Sequence, residues 1–243
     1  MSQTNTQLLI VGATGETGKC LVKQLLDQGH AVTVIVRTPE KLPKVIRNHE
    51  NISIIPPAIL DVSSADVAQQ VKHYHAIVSC LGHTMNFRGI FGNPRRLVAD
   101  SIYRLCQAVQ SNNPTEPVKV LLMSSVGCRN YNLEEKISFA QSCVIALLRL
   151  LMPPHSDNEK AANYLRTVIG QNHSHIEWAV IRPDSLTKDN MVSPYAVHAS
   201  PNRSIFNAGK TSRINVAHFM VKLITDSAVW SDWKGQMPVI YNE

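Results

Sequence analysis

Three glycines near the start of the chain have the spacing of a phosphate-binding loop. Gly12, Gly15 and Gly18 follow an apolar run at residues 7–11 and precede a segment with helical periodicity. In a strand–turn–helix unit, the first glycine permits a tight turn and the second lets the backbone approach a pyrophosphate at the helix N-terminus. The third lets the helix pack closely on the sheet. The loop therefore predicts dinucleotide binding, the alternative being a structural glycine-rich turn without a ligand.

Basic side chains follow the next β-branched run, at residues 31–36. Arg37 stands directly after this run, and Lys41 lies one turn further on if Pro39 begins a helix. Proteins specific for NAD commonly carry an acidic residue here to bind the ribose 2′-hydroxyl, whereas an arginine accommodates the 2′-phosphate of NADP. The sequence thus predicts NADP(H), unless Arg37 is only a solvated charge at the end of a strand.

Residues after two further apolar runs complete the expected cofactor site. Asp61 and Val62 follow one of them, and the Asp61 carboxylate could accept a hydrogen bond from an adenine amino group or cap the next helix. Cys80 ends the other run close to the expected ribose and nicotinamide, and we interpret it as a small buried side chain. The residues expected to contact the cofactor are Gly12, Thr14, Gly15, Glu16, Thr17, Gly18, Arg37, Lys41, Asp61, Val62, Cys80, Leu81, Gly82 and Pro183.

The elements that position these residues alternate along the chain. Predicted strands cover residues 7–11, 31–36, 52–55, 76–81, 118–123, 176–181 and 238–241, and predicted helices cover a segment ending at residue 29 and residues 62–72, 95–110, 158–170 and 216–225. Alternation of this kind predicts an α/β fold with a doubly wound, Rossmann-type parallel sheet. We expect a single domain over residues 1–243 with a small C-terminal substrate lobe. Residues 182–213 are less periodic and are expected to form loops that face the substrate.

The charge balance indicates an anionic partner. Only 17% of the 243 residues are charged, yet the net charge is +6. Nucleic acid, an anionic membrane and a phosphorylated cofactor all fit such an excess. The Arg95-Arg96 pair has no nucleic-acid motif around it, and the apolar stretch at 137–152 is shorter than the roughly 20 residues that span a bilayer. We therefore expect neither nucleic acid nor membrane as a partner, and assign part of the excess to Arg37, Lys41, Lys160 and Arg182 near the cofactor.

The termini and cysteines indicate a cytoplasmic protein. The N-terminus is polar and lacks the pattern of a secretory signal, and the five cysteines include no CxxC pair, so we expect them to be reduced. Two His-x-His pairs, at residues 73–75 and 173–175, could hold a metal ion but are better explained by surface or capping roles. No metal is expected.

The ordered series of motifs resembles the atypical short-chain dehydrogenase/reductase proteins. Within that family, it is similar to the NAD(P)-binding group that includes the biliverdin reductase B-like flavin reductases and the NmrA-like sensors. The motifs are GATGETG at 12–18, VRTPEKL at 36–42, LDV at 60–62, SCLG at 79–82, MSSVG at 123–127, HSDNEKAANYLR at 155–166, VIRPDSL at 180–186 and the closing GKTSRINVAHFM and KGQMPVIYN segments.

The resemblance implies roles for several polar residues. It places the nicotinamide near Ser124, Ser125 and residues 182–186, with Ser125 approaching both nicotinamide and substrate. Asp157 and Asn158 stand where relatives carry polar residues at a helix start. Lys160 lies in the region where other short-chain reductases place the lysine that binds the cofactor ribose. The candidate catalytic residues are therefore Ser125, Ser124 and Lys160.

The chain departs from the family in its catalytic motif. Classical members use Tyr-x-x-x-Lys, but with Lys160 as the lysine, Ser156 stands at the tyrosine position. A serine hydroxyl is a much weaker acid than a phenol, so carbonyl reduction of the ordinary kind is not expected. Tyr131 precedes Lys136 by five residues, and Tyr164 has no lysine four residues on.

Two functions remain open on this basis. One is an NADPH-dependent reductase of a flat, aromatic, flavin-, tetrapyrrole- or quinone-like acceptor, protonated from solvent. The other is a non-catalytic NADP(H) sensor of the NmrA-like type. The intact serine pair favours the reductase, although such a pair also suits turn chemistry. The apolar segment at 137–152 could be core, a lid over the acceptor or a homodimer interface.

Overall fold

The computed structural model describes residues 7–56, 58–84, 86–135 and 138–243, and for Arg88 only the backbone. The strands are β1 Gln7–Val11, β2 Ala31–Ile35, β3 Ile52–Ile55, β4 Ala76–Ser79, β5 Val118–Met123, β6 Ile176–Pro183, β7 Ser185–Thr187, β8 Tyr195–His198, β9 Lys210–Ser212 and β10 Val239–Asn242. The helices are α1 Glu16–Asp27, α2 Lys44–Arg47, α3 Ser64–Val71, α4 Phe87–Phe91, α5 Leu97–Asn112, α6 Phe139–Leu151, α7 Pro153–Tyr164, α8 Arg213–Thr225 and α9 Ser227–Trp233.

The central sheet has the strand order β3-β2-β1-β4-β5-β6-β10-β8. All neighbouring strands are parallel except β8, which runs antiparallel to β10 at one edge. The order reverses between β1 and β4, so the loops that follow these two strands diverge and leave a crevice at their carboxyl ends. The predicted Rossmann-type fold is confirmed, and the glycine loop lies at the crevice.

Apolar side chains cover both faces of the sheet. In β1, Leu8 and Ile10 belong to a buried cluster on one face, and Leu9 and Val11 to a second cluster on the other. Helices α1 and α8 pack together on the first face, whereas α3, α5 and α7 pack on the second. Burial on two faces explains why the inner strands are continuous apolar runs rather than alternating ones.

Helix α7 begins earlier than the sequence pattern indicated. The predicted start was residue 158, whereas α7 starts at Pro153. Proline is tolerated in the first helical turn because the N–H it lacks would have no helical partner there. Met152, which precedes the prolines, has the non-helical angles φ −121° and ψ 84° and separates α6 from α7. The end of the predicted helix, Leu165–Ile169, is a π-helical turn.

Helix α6 is largely exposed. Ile145 is its one buried residue, while Phe139, Leu147, Leu150 and Leu151 are open to solvent. Packing into the core therefore does not explain most of its apolar residues. Ile137, where the predicted apolar segment began, lies outside the described residues. No helix in the described ranges is long and apolar enough to cross a membrane.

The second His-x-His pair shapes a loop. His173 Nδ1 accepts a hydrogen bond from the backbone N–H of His175, at 3.1 Å, and His173 Nε2 lies 2.9 Å from the Gln110 side-chain amide. His175 Nδ1 lies 3.2 Å from the Pro114 carbonyl oxygen. These rings hold the turn before β6, which is the capping role expected for them.

Candidate functional site

The glycine loop is pressed against the end of β4. Gly12 has φ +82°, and a Cβ there would lie 2.4 Å from the carbonyl carbon of Cys80. A Cβ on Gly18 would lie 2.3 Å from the Gly12 carbonyl oxygen. Any side chain at either position would force strand and helix apart, so these two glycines are required by the packing.

The N-terminus of α1 is open. Its N-cap, Gly15, has no side chain that could bond the N–H groups of the first turn. An α-helix leaves these groups without helical partners and carries a partial positive charge at this end. Thr17 is buried in the turn, whereas Thr14 lines the crevice. The loop can therefore accept a pyrophosphate on its backbone.

A carboxylate also lies at this helix end. Glu16 pairs with Lys19 and with Lys188, each at 3.0 Å, and these two ammonium groups lower the pKa of Glu16 to about 2. Lys188 follows β7, so this ion pair connects the first turn of α1 to the segment after β7. The two lysines offset the negative charge that Glu16 would otherwise present to a phosphate.

A small cavity of about 100 Å³ adjoins the loop. It is lined by residues that follow the four strands β1 to β4, including Gly12, Val36, Arg37, Asp61 and Leu81. The N-cap of α3 is Ser63, whose Oγ accepts from the Asp66 N–H at 3.1 Å. Asp61 is therefore not the helix cap, and its carboxylate is left at the cavity. The neighbouring Val62 carbonyl accepts a hydrogen bond from Arg104 Nη2.

A larger, open cavity of about 530 Å³ continues from the small one. Arg37 and Thr14 line both, and Lys41, Gly82 and His83 line the larger one. Arg37 and Lys41 are exposed, and no carboxylate of the described residues forms an ion pair with either. Two cations without a protein counter-charge thus face the cleft, as a 2′-phosphate would require.

Beyond β4, a buried histidine–aspartate pair borders the larger cavity. The Asp157 carboxylate accepts from the backbone N–H groups of Val98, at 2.8 Å, and Ala99, at 3.0 Å, and it lies 2.8 Å from His83 Nε2. His83 Nδ1 lies 3.0 Å from the Gly89 carbonyl oxygen. The pair therefore connects the segment after β4 to the first turn of α5.

The two serines after β5 differ in whether their hydroxyl groups already form a close hydrogen bond. Ser124 is buried, and its hydroxyl donates to Cys128 Sγ at 3.0 Å. Ser125 is half-buried, with its Oγ 4.0 Å from the same sulfur. The next backbone N–H, of Val126, donates to the carbonyl of Pro183 at 3.0 Å, which places Ser125 beside the end of β6. Ser125 is thus the serine with surface left for a ligand.

His155 lies close to Ser125. A Cβ added at Gly127 would lie 3.0 Å from His155 Cε1 and 3.6 Å from Ser125 Oγ. His155 Nε2 is buried and 3.6 Å from Glu159 Oε1, beyond hydrogen-bond distance. Burial lowers the pKa of His155, while the nearby Glu159 opposes the shift, so the neutral ring is favoured. This residue was not predicted as a site residue.

The remaining candidates lie apart from these cavities. Lys160 is exposed on α7 and lines none of the cavities described. Its catalytic role stays a prediction. Cys80 is buried, and this raises the pKa of its thiol to about 12, which agrees with a packing role.

The expectation that Arg182 supplies positive charge near the cofactor is wrong. Its side chain is fully buried and donates to Glu135 Oε1 at 2.6 Å, to the Met237 carbonyl at 2.7 Å and to the Cys128 carbonyl at 2.9 Å. The guanidinium is neutralised inside the protein because Glu135 folds back over it from a loop whose course the sequence pattern does not indicate.

Comparison with known proteins agrees with this cleft. A family model described as NAD(P)H-binding matches residues 12–227. The chain therefore belongs to this NAD(P)H-binding family, which confirms the predicted binding of a nicotinamide dinucleotide. No curated protein sequence matches the chain.

Three solved structures show the same fold. A short-chain dehydrogenase/reductase (wide type) from Veillonella parvula, solved in complex with NADP, has a TM-score of 0.71 and 16% identity over 98% of this chain and 94% of that one. The oxidoreductase ylbE from Lactococcus lactis has a TM-score of 0.69 and 18% identity over 98% and 91%. A protein named "putative NADH-flavin reductase" from Streptococcus pneumoniae has a TM-score of 0.67 and 15% identity over 98% and 100%. These likenesses agree with the expected Rossmann-type architecture.

Proposed function

We propose that the protein is an NADPH-dependent reductase that delivers hydride to a flat, electron-poor acceptor of the flavin, tetrapyrrole or quinone class. The observation that carries the proposal is the set of side chains at the carboxyl ends of the strands. Arg37 and Lys41 line the larger cavity, and neither forms an ion pair in the part of the chain that the structure describes. At the same edge of the sheet, after β5, Ser125 lies near His155, and Ser156 stands at the position of the tyrosine in the usual catalytic motif.

The choice of NADPH rests on the two cations. Arg37 lines both cavities, so its guanidinium can reach a phosphate on the ribose that adjoins the glycine loop. The open N-terminus of α1 suits the pyrophosphate. When bound, the dihydronicotinamide of NADPH supplies the hydride. The Veillonella parvula neighbour, solved with NADP, supports this choice.

Ser125 and His155 can orient an acceptor but are poor proton donors to it. Ser125 offers one hydroxyl, which is a weak acid, and burial keeps His155 neutral. An aldehyde or ketone needs a proton donor as hydride arrives, whereas a flavin or quinone is already electron-poor and can take its proton from solvent. Holding such an acceptor in line with the cofactor is then the main contribution of the protein. The name of the Streptococcus pneumoniae neighbour supports a flavin-type acceptor.

The test is anaerobic NADPH oxidation with FMN, biliverdin and a quinone as acceptors. We expect turnover above the rate without protein, and a lower kcat in Ser125→Ala with little change in NADPH affinity. Ser64→Ala, an exposed serine at the start of α3, is the matched control. Tight NADPH binding without turnover of any acceptor would instead favour the non-catalytic NADP(H) sensor of the NmrA-like type.

A further inference from the structure

A third cavity begins directly after Ser125. It has a volume of about 150 Å³, and its lining includes Val126, Gly127, Arg129, Asp184 and Arg203. Cavities that enclose a whole small molecule usually measure about 300–1,000 Å³. This one is therefore the size of a substituent, and its lining begins with the residue that follows Ser125.

Arg129 presents an unused donor in this region. Its Nε–H is buried and has no hydrogen-bond acceptor among the described residues, while its Nη2 donates to the Glu135 carbonyl at 3.1 Å. Its guanidinium carbon also lies 5.4 Å from the ring centre of Tyr131, which holds the group in place. Buried donors in folded proteins nearly always have a partner, so an unpaired N–H at this cavity is a donor that a ligand can engage.

No carboxylate of the described residues forms an ion pair with Arg129. Glu135 is engaged by Arg182. Asp184 accepts from the Gly209 N–H at 2.7 Å, and burial raises the pKa of its carboxyl group. Glu134 is exposed to solvent.

A second arginine, Arg203, lines the cavity near the carboxyl group of Asp184, whose pKa it helps to hold down against the effect of burial. Arg203 has its guanidinium carbon 6.0 Å from the ring centre of Tyr241. In the part of the chain that the structure describes, neither Arg129 nor Arg203 forms an ion pair with a carboxylate. Two guanidinium groups at one small cavity match an oxyanion, which accepts charge-assisted hydrogen bonds from both.

We propose that this cavity binds an anionic substituent of the acceptor, a carboxylate or a phosphate, through Arg129 and, secondarily, Arg203. The inference rests on the proposed reductase function and adds a substrate class to it: acceptors with a flat ring system and an acidic side chain. Arg129 and Arg203 would then determine specificity, whereas Ser125 contacts the reacting ring.

FMN and riboflavin form a matched pair of probes because they share one ring system and differ by a phosphate. Their dissociation constants can be measured by flavin fluorescence in the presence of NADP⁺, which supports no turnover. We expect FMN to bind about 10-fold more tightly than riboflavin. Arg129→Gln should bring this ratio close to one without weakening riboflavin, and Arg129→Lys should retain part of it.

The controls separate charge from folding. Lys222→Gln, which removes an exposed charge outside the cavity lining, should keep the wild-type ratio. Thermal midpoints and NADPH affinity identify a variant that is merely unfolded. If Arg129→Gln is unfolded, Arg203→Gln provides a second test, in which the preference for FMN over riboflavin should fall by a smaller factor. A carboxylate probe, 10-carboxymethylflavin compared with its amide, distinguishes a site for carboxylates from one for phosphates.

The outcomes distinguish the two proposals. Equal binding of FMN and riboflavin, no binding of FMN, or an equal loss of both flavins in Arg129→Gln would overturn the anion site. If FMN binds with the expected preference but NADPH reduces neither flavin, the anion site stands and the reductase function fails.

Discussion

Replacing Arg37 with alanine should convert a protein that prefers NADPH into one with little preference between NADPH and NADH. The two cofactors differ only in the 2′-phosphate, so the variant removes a contact that NADH never makes. The glycine loop and the N-terminus of α1 bind parts that both cofactors share. The affinity for NADH should therefore stay nearly constant.

The size of the effect follows from the surroundings of Arg37. Hydrogen bonds to charged groups contribute about 1.5–3 kcal/mol. Arg37 is exposed, and water screens exposed charges, so the lower part of this range applies. A loss of about 1.5–2 kcal/mol corresponds to roughly 10- to 30-fold weaker binding of NADPH. Lys41 remains in the variant and keeps a small preference for the phosphate.

Isothermal titration of NADPH and NADH into both proteins measures this directly. Lys44→Ala, in the exposed first turn of α2, is the control for a lost positive charge. In 0.5 M salt, the affinity for NADPH should also fall more than the affinity for NADH, because salt screens the contact with the 2′-phosphate. If wild-type protein binds NADH as tightly as NADPH, or if Arg37→Ala weakens both alike, the assignment of Arg37 is refuted.

Three further predictions concern the framework of the site. Arg182→Met leaves Glu135 buried without its partner and should lower the free energy of unfolding by about 3–5 kcal/mol in urea titrations, whereas adding Glu135→Leu should restore much of it; an unchanged single variant would contradict the buried pair. Gly12→Ala should abolish NADPH binding in the same calorimetric assay, since φ is +82° and the Cβ would meet β4 at 2.4 Å; wild-type affinity would show that the turn is not needed. The Glu16 carboxylate has its pKa lowered from 4.5 to about 2, so its contribution to stability is complete above pH 4.5 and disappears as the pH falls toward 2. Thermal midpoints of Glu16→Gln and wild type should accordingly converge with acidification, and a difference that persists at pH 2 would argue against the ion pairs.

Much of the cofactor cleft was predictable because its residues are adjacent to strand ends. The glycine loop, Arg37 and Gly82 each follow an apolar run directly, and parallel strands bring their carboxyl ends to one edge of the sheet. Knowing the strands was therefore enough to place these residues together. The expectation that residues 182–213 form only loops is wrong, because this segment contains β7, β8 and β9. These strands have only three or four residues each, too few for a periodic pattern to show.

The His83–Asp157 and Arg182–Glu135 pairs could not be predicted from the sequence, and the reason is physical. Asp157 was noted at the start of its own helix, yet its carboxylate caps α5, which begins 60 residues earlier in the chain, and binds His83. Arg182 reads as a charge at the end of a strand, but Glu135 encloses it from a distant loop. Such contacts depend on how helices and loops pack against each other, which the local periodicity of the sequence does not indicate.

The reductase account is tested most directly by one anaerobic single-turnover experiment. Protein in excess over NADPH is mixed with FMN, and the absorbance of NADPH at 340 nm and of oxidised flavin at 450 nm are followed together. The account predicts that both signals decay at one rate, faster than without protein, and that Ser125→Ala slows both. NADPH that binds and persists beside oxidised flavin would contradict it.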